Sequence, residues 1–446
     1  MTIKNCSRDF VEVLFAGLNT KGIRYAVSGD YDKLPEAVGH DIDLWTDDVI
    51  GFRKCLFDAI KESGHHVLIE NRTANGCNVA FYKLDGDTLT FMKIDVMKDT
   101  AWKSILTLVD KGTTAQSVVP YKDFYIINPE GEALGHFLYP MFEWGFIKKD
   151  SYKHDIKKYC HSEIFVSAFR KLWGENISKE ILSLIETEQW DEISCRIGRY
   201  RRIALLKGLL RKDTWQNIFS TTYYMLYRWV KPSGKCLAFC GLDGAGKTTI
   251  LDELNDIFVG LLKSKKVYYG YWRPFVLPEI RELFGKKNSK AGIDRDSQKG
   301  KTILEPERKP KNKLVSLVKL AYYWVDYVLA LLKYGGIRNR GGIVLFDRHY
   351  VDMAVHPQRF EMNISQRIIL ALYRLIPKAD YTFFLYCTPE EILQRKQEFT
   401  AEEIVEQTEK YMNVGNHIKN FIPIHTNKSI AKEIDEVLSH ITTQRL

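Results

Sequence analysis

Nine consecutive residues, Gly241-Leu242-Asp243-Gly244-Ala245-Gly246-Lys247-Thr248-Thr249, carry the strongest chemical signal in the chain. They match the pattern GxxxxGK[ST]. An apolar run (Leu237, Ala238, Phe239) precedes them, and Ile250, Leu254, Ile257, Phe258 and Leu261 follow at helical spacing. Glycines in such a turn let backbone N–H groups converge on phosphate oxygens, and the start of the next helix adds favourable partial charge. Lys247 would neutralise charge on the β- and γ-phosphates, and the Thr248 hydroxyl would ligate Mg²⁺. ATP and Mg²⁺ are therefore the expected cofactors. The nucleotide is expected among Gly241, Asp243, Gly244, Ala245, Gly246, Lys247, Thr248 and Thr249.

A second group lies 100 residues after Lys247, where the apolar run Ile343-Val344-Leu345-Phe346 ends in Asp347-Arg348-His349. A carboxylate at the end of such a strand reaches Mg²⁺ or its waters, so Asp347 is a metal candidate alongside Thr248. Arg348 would face a transferring or acceptor phosphate, where a planar, permanently charged donor helps most. Further on, Thr388-Pro389-Glu390-Glu391 reads as a capping box opening a helix that carries Arg395 and Lys396. A second box, Thr400-Ala401-Glu402-Glu403, opens the next helix. Arg395 thus sits on a helix-loop-helix hinge, as in a phosphate-closing lid. The same residue would equally serve a plain i,i+4 surface pair with Glu391.

The front of the chain holds a different constellation. In His40-Asp41-Ile42-Asp43-Leu44-Trp45 the alternation puts Asp41 and Asp43 on one strand face. Met92-Lys93-Ile94-Asp95-Val96 does the same for Asp95, and Ala26-Val27-Ser28-Gly29 ends a strand upstream. Three carboxylates converging from two strands can hold one or two Mg²⁺ against a triphosphate, with the Ser-Gly turn cradling phosphate. Exposed acids on an edge strand would give the same letters without chemistry.

Three regions position these groups. Residues 1–130 mix helices (Phe10, Val11, Leu14, Phe15, Leu18; then Phe52, Leu56, Ala59, Ile60 after a cap at Asp47 or Asp48) with short strands. Residues 131–232 read as a helical connector, starting at Asn128-Pro129-Glu130 and ending in Lys231-Pro232-Ser233-Gly234. Residues 233–446 alternate strands (Cys236–Cys240, Val267–Gly270, Ile343–Phe346, Tyr381–Tyr386) with helices, which implies a parallel sheet flanked by helices. Between Arg281 and Lys313 eleven Lys/Arg stand against five Asp/Glu, a solvated loop or a phosphate-binding one.

The fold class is α/β, and 446 residues suit two or three domains. A composition of 45% hydrophobic and 27% charged residues excludes a disordered or fibrous chain. The +9 charge suits a phosphate-bearing partner but is too mild, spread over the whole chain, to name nucleic acid. The eight cysteines form no CxxC and no zinc spacing, so neither a disulfide framework nor a structural metal is expected. No signal segment opens the chain, and Lys319 and Asp326 interrupt the apolar stretch Leu314–Leu332, which reads as a buried or interfacial helix. A cytosolic protein is expected, with no membrane contact called for.

Residues 236–446 resemble the thymidylate kinase family of P-loop nucleoside-monophosphate kinases. GLDGAGKTT is close to that family's loop, Asp347-Arg348-His349 matches its DR[YH] pattern, and Thr388–Arg395 falls where the family has its lid. The resemblance implies Mg-ATP-dependent phosphoryl transfer to an acceptor phosphate, with Lys247, Asp347, Arg348 and Arg395 as the working residues. It also implies an acceptor-holding role for Arg273 in Tyr271-Trp272-Arg273-Pro274, and a soluble homodimer. Tyr350–Arg359 lacks the serine and glutamine pattern that reads thymine, so the acceptor is a nucleoside monophosphate or a sugar or glycan phosphate. Residues 8–130 resemble the polymerase-β-type nucleotidyltransferase fold, an α+β domain, with its glycine-serine pair reversed to Ser28-Gly29. Two rivals to the kinase reading follow: nucleotidyl transfer by Asp41, Asp43 and Asp95, or an ATP-gated scaffold with little turnover.

Overall fold

A computed structural model describes residues 4–5, 8–36, 38, 41–278, 280, 312–395 and 399–442. His40, Lys396 and the basic stretch 281–311 lie outside them. The chain divides into two compact units, one of residues 2–230 and one of residues 231–441. Residues 131–230 therefore belong with the front of the chain.

The front unit is built on a mixed sheet. Its strands are β1 (Lys4–Asn5), β2 (Tyr25–Ser28), β3 (Ile42–Thr46), β4 (His66–Thr73), β5 (Gly76–Asp85), β6 (Thr88–Met97), β9 (Val118–Tyr121) and β10 (Phe124–Ile127). They run in the order β4-β5-β6-β3-β2-β10-β9, with β1 also pairing β6. β7 (Thr100–Trp102) and β8 (Leu106–Val109) form a separate hairpin. Helix α1 (Arg8–Thr20) buries Phe10, Val11, Leu14, Phe15 and Leu18 in the core beneath the sheet, together with Phe52, Leu56 and Ile60 of α2 (Val49–Glu62). Asp48 caps α2 by accepting from Gly51 N–H at 2.9 Å.

After α3 (Lys111–Gln116), six helices follow: α4 (Pro129–Glu143), α5 (Asp150–Tyr159), α6 (Glu163–Trp173), α7 (Glu175–Glu186), α8 (Trp190–Gly208) and α9 (Lys212–Val230). Asn128 caps α4 with Pro129 at its first position, as the sequence indicates. Phe137, Phe142, Phe169, Trp173 and Tyr200 join helices α4 to α8 in a second core that also takes Leu106 and Leu108 of the hairpin.

Among the described residues the rear unit is a five-stranded, all-parallel sheet in the order β12-β13-β11-β14-β15. Its elements run β11 (Lys235–Gly241), α10 (Lys247–Leu262), β12 (Val267–Tyr271), α11 (Lys313–Asn339), β13 (Ile343–Asp347), α12 (Tyr350–Val355), α13 (Gln366–Tyr373), β14 (Tyr381–Tyr386), α14 (Pro389–Arg395), α15 (Ala401–Gly415), β15 (Phe421–His425) and α16 (Ile430–Ile441). Near-continuous apolar runs in β11, β13 and β14 suit strands covered on both faces. The chain leaves β11 toward β12 and β13 on one side and later returns to β14 on the other. The carboxyl end of β11 is thus a topological switch point, the place where open α/β sheets receive ligands. The apolar helix α11 is amphipathic: Ser316, Leu320, Tyr323, Tyr327, Ala330 and Tyr334 are buried, while Leu314, Val318 and Leu332 are exposed.

Candidate functional site

β11 ends in Gly241, with φ of 141°, and a Cβ there would lie 2.2 Å from the Leu385 carbonyl oxygen. Only glycine lets the loop leave the sheet at this point. Gly246, at φ 81°, then turns the chain into α10, whose first residue is Lys247. Lys247 Nζ donates to Leu242 O (2.7 Å) and stands 3.6 Å from Asp243 Oδ1. Burial lowers its pKa and the Arg348 charge pushes the same way, against Asp243 and Asp347. Thr248 and Thr249 are exposed at the helix start.

Register sets the second half of the site. Asp347 pairs with Phe239, two residues before Gly241, so β13 delivers its carboxylate beside the loop. Asp347 is nearly buried, its Oδ1 has no hydrogen-bond partner among the described residues, and burial raises its pKa despite Lys247 and Arg348 nearby. An orphaned carboxylate oxygen here fits a divalent cation. Arg348 adopts φ 68°, unusual for a non-glycine, and its N–H donates to Phe239 O at 2.8 Å. Its guanidinium donates to Asp243 Oδ1 (2.7 Å) and Asp352 Oδ1 (3.3 Å). Asp352 also accepts from the His349 N–H (2.9 Å) and the Tyr411 hydroxyl (2.8 Å). His349 itself is a core residue, edge-on to Tyr327, with its pKa pushed down to about 3 by burial.

Both capping boxes form: Glu391 accepts from Thr388 N–H (2.9 Å), and Thr400 and Glu403 cap each other. Arg395 does not make the alternative i,i+4 pair with Glu391 among the described ion pairs. Its guanidinium donates instead to Gly244 O (3.3 Å) and Thr426 O (3.4 Å), so helix α14 touches the glycine loop.

Arg273 departs from its expected role. It is 1% exposed, its Nη1 lies 3.4 Å from Asp326 Oδ2, Nη2 donates to Pro278 O (3.2 Å), and the guanidinium covers the Phe275 ring at 4.2 Å. Asp326, the acid that interrupts α11, is fully buried and accepts N–H bonds from Phe275, Val276 and Leu277 at 3.2, 2.8 and 2.6 Å. The pair pins the loop after β12, an internal fastening and not a hand held out to an acceptor.

The rear site therefore brings together Gly241, Asp243, Gly244, Ala245, Gly246, Lys247, Asp347, Arg348 and Arg395, with Thr248 and Thr249 at its rim. Asp352 and Tyr411 orient Arg348; the first stands in the Tyr350–Arg359 run read from sequence but without a role, and the second was not singled out. An acid three residues past His349 was the available signal for the first, and nothing local marked the second.

In the front unit Asp41, Asp43 and Asp95 converge, their carboxylate oxygens within 4.8 Å of one another. Asp43 and Asp95 are register partners on parallel strands. The nearly buried Lys93 ammonium, however, pairs with Asp95 and lies 3.3 Å from Asp41 Oδ2, while Asn78 donates to Asp95 Oδ1 at 2.6 Å. The Gly29 N–H, expected to cradle phosphate, donates to Glu132 Oε1 at 3.0 Å. Burial raises the Glu132 pKa, and Asp43 and Asp30 add to that. A lysine thus takes the cation's place and a carboxylate the phosphate's. As the side chains stand, this cluster does not fit Mg²⁺ with a triphosphate. Neither Lys93 nor Glu132 was singled out from sequence.

No family model matches the chain, and no curated protein matches it. Among solved structures, thymidylate kinase from Ehrlichia chaffeensis is 18% identical with a TM-score of 0.31, covering 47% of this chain and 100% of its own. Thymidylate kinase from Candida albicans is 14% identical with a TM-score of 0.32, covering 47% of this chain and 91% of its own. Similarity at that level carries no chemistry over, so the geometry of the site bears the weight.

Proposed function

We propose that the rear unit is an ATP- and Mg²⁺-dependent phosphotransferase acting on a phosphorylated small molecule or glycan. One observation carries the reading: the orphaned, buried Asp347 oxygen stands beside the glycine loop at the switch point of a parallel sheet. Bound Mg-ATP supplies a transferable phosphoryl group and a divalent charge. The loop amides from Gly244 to Thr249 hold its phosphates, Lys247 offsets their charge, and Thr248 and Asp347 provide the oxygen ligands for Mg²⁺. Arg348, braced by Asp243 and Asp352, presents a fixed positive charge where transfer occurs, and Arg395 adds another from the lid. Such catalysis is mostly positioning and charge stabilisation, which suits a site whose side chains are already tied in place.

Label transfer from ATP tests this, with Mg²⁺ and pooled nucleoside monophosphates, sugar phosphates and glycan extracts. γ-Label moving to an acceptor, and its loss in a folded Lys247→Ala variant, is the expected result. Full activity in Lys247→Ala removes the assignment. Transfer of α-label would move the chemistry to the front unit, and ATP binding with no phosphorylated product would leave an ATP-gated scaffold.

A further inference from the structure

Helix α9 is amphipathic the wrong way round. Toward its own unit it presents polar side chains. Asn217 Nδ2 donates to Ile105 O (3.1 Å) and Thr107 Oγ1 (3.0 Å), Thr221 donates to Ser104 O (3.0 Å), and Arg228 to Asn71 Oδ1 (3.3 Å). The one fully buried residue of the helix is Thr214. Away from the unit run Trp215, Phe219, Tyr223, Leu226 and Val230, spaced four, four, three and four residues apart, with Phe219 71% and Val230 79% exposed. Surface helices of globular units normally bury the apolar stripe and hydrate the polar one. Leu206 and Leu210, the latter 89% exposed, extend the stripe through the turn between α8 and α9. A contiguous apolar surface of this kind marks an interaction site.

Charge names the occupant. Residues 196–230 hold eight Lys/Arg and one acid, Asp213. Arg196 and Arg199 pair with Glu180, Arg196 also with Glu192, and Arg211 with Asp213, so the outward positive excess rests on the exposed Arg202, Lys207 and Lys212. Arg202 and Lys207 near the end of α8 and Lys212 at the start of α9 are exposed and flank Leu206 and Leu210 in the chain. Tryptophan and tyrosine rings favour the headgroup level of a bilayer, leucine and valine its acyl boundary, and basic side chains reach the anionic surface. A second copy would bring the same positive stretch against itself. A nucleic acid would stack on the rings but leave the aliphatic side chains without a partner. We propose that the outer face of α9, with the α8–α9 turn, docks the protein on an anionic membrane surface. Composition alone called for no such contact.

Flotation of the full chain with vesicles of phosphatidylcholine, with or without phosphatidylglycerol, tests the proposal. Binding to the phosphatidylglycerol vesicles, weakened by salt, is expected, with little on phosphatidylcholine alone. The pair Arg202→Glu and Lys212→Glu should weaken it at least about fivefold per residue changed. Phe219→Ser with Leu226→Ser should abolish it while circular dichroism and the thermal midpoint hold, since both side chains are exposed. No flotation, or flotation indifferent to lipid charge and to both variant pairs, overturns the proposal. So does a soluble dimer that Phe219→Ser splits without any vesicle binding, or binding of a single-stranded oligonucleotide in place of vesicles.

Discussion

Asp347 and Arg348 are neighbours in the chain and answer opposite electrostatic demands. Arg348 is charged and matched by two carboxylates, whereas burial raises the Asp347 pKa and leaves one oxygen unpartnered. Between the ordinary carboxylate range and that raised value, the folded chain binds a proton that the unfolded chain has lost. Asp347 therefore makes stability fall as pH rises through this window. Asp347→Asn should remove that slope and, at neutral pH without nucleotide, stabilise the unit by about 1 kcal/mol, or roughly 2–4 °C. The same change should lower phosphoryl transfer by about a hundredfold or more. Melting curves across acid to neutral pH check the first claim, and a destabilised variant would sink it. Arg273 makes the contrary prediction. Arg273→Met leaves Asp326 buried without its cation and should cost about 3 kcal/mol, read as a lower thermal midpoint. An unchanged midpoint with a raised KM for the acceptor would return Arg273 to the acceptor site.

At the scale of elements, the sequence is most legible where cause and effect are local. Asp48, Asn128-Pro129, Thr388/Glu391 and Thr400/Glu403 each announce a helix start within four residues, and each forms. The glycine loop and the Asp347 strand are legible because each pairs a local pattern with an apolar run. Strand β15 was missed because Pro423 stands inside it, and it survives as an edge strand pairing only β14, where a missing N–H is tolerated. The ties that decide individual roles are long-range: Arg273 to Asp326, Lys93 to Asp41, and Glu132 to Gly29 join residues 53, 52 and 103 positions apart. No spacing rule reports such pairs, so the residues were visible and their duties were not. Element and site meet in α15, where the Thr400 cap starts the helix whose Tyr411 holds Asp352 and through it Arg348. Thr400→Ala should cost about 1 kcal/mol of stability. Its effect on kcat should be small, because Tyr411 lies nearly three turns from the frayed end. A large kcat loss at an unchanged midpoint would mean that the cap governs the lid.

At the scale of the molecule, each unit has cores of its own, and each gathers charged groups where a nucleotide would be read from sequence. The groups are not equivalent. In the rear unit Asp347 keeps an oxygen unpartnered, whereas in the front unit Lys93 and Glu132 answer the charges that a metal and a phosphate would answer. On the proposed function Mg-ATP would bind the folded rear site and not the unfolded chain, so saturation would stabilise that site by RT ln(1 + [L]/Kd), about 2.7 kcal/mol at a hundredfold excess over Kd. Hydrogen exchange on the full chain should therefore slow on adding Mg-ATP at residues 241–249 and 347–352. Exchange at residues 41–46 and 93–97 should stay as it was. Lys247→Ala should erase the rear protection without altering the front. Protection appearing in the front strands would mean that Lys93 gives way to a metal and that the front carboxylates take nucleotide. In that event Lys93→Met, which removes the internal cation, should strengthen the protection there, whereas with a closed front cluster wild-type and variant alike should gain no protection from Mg-ATP.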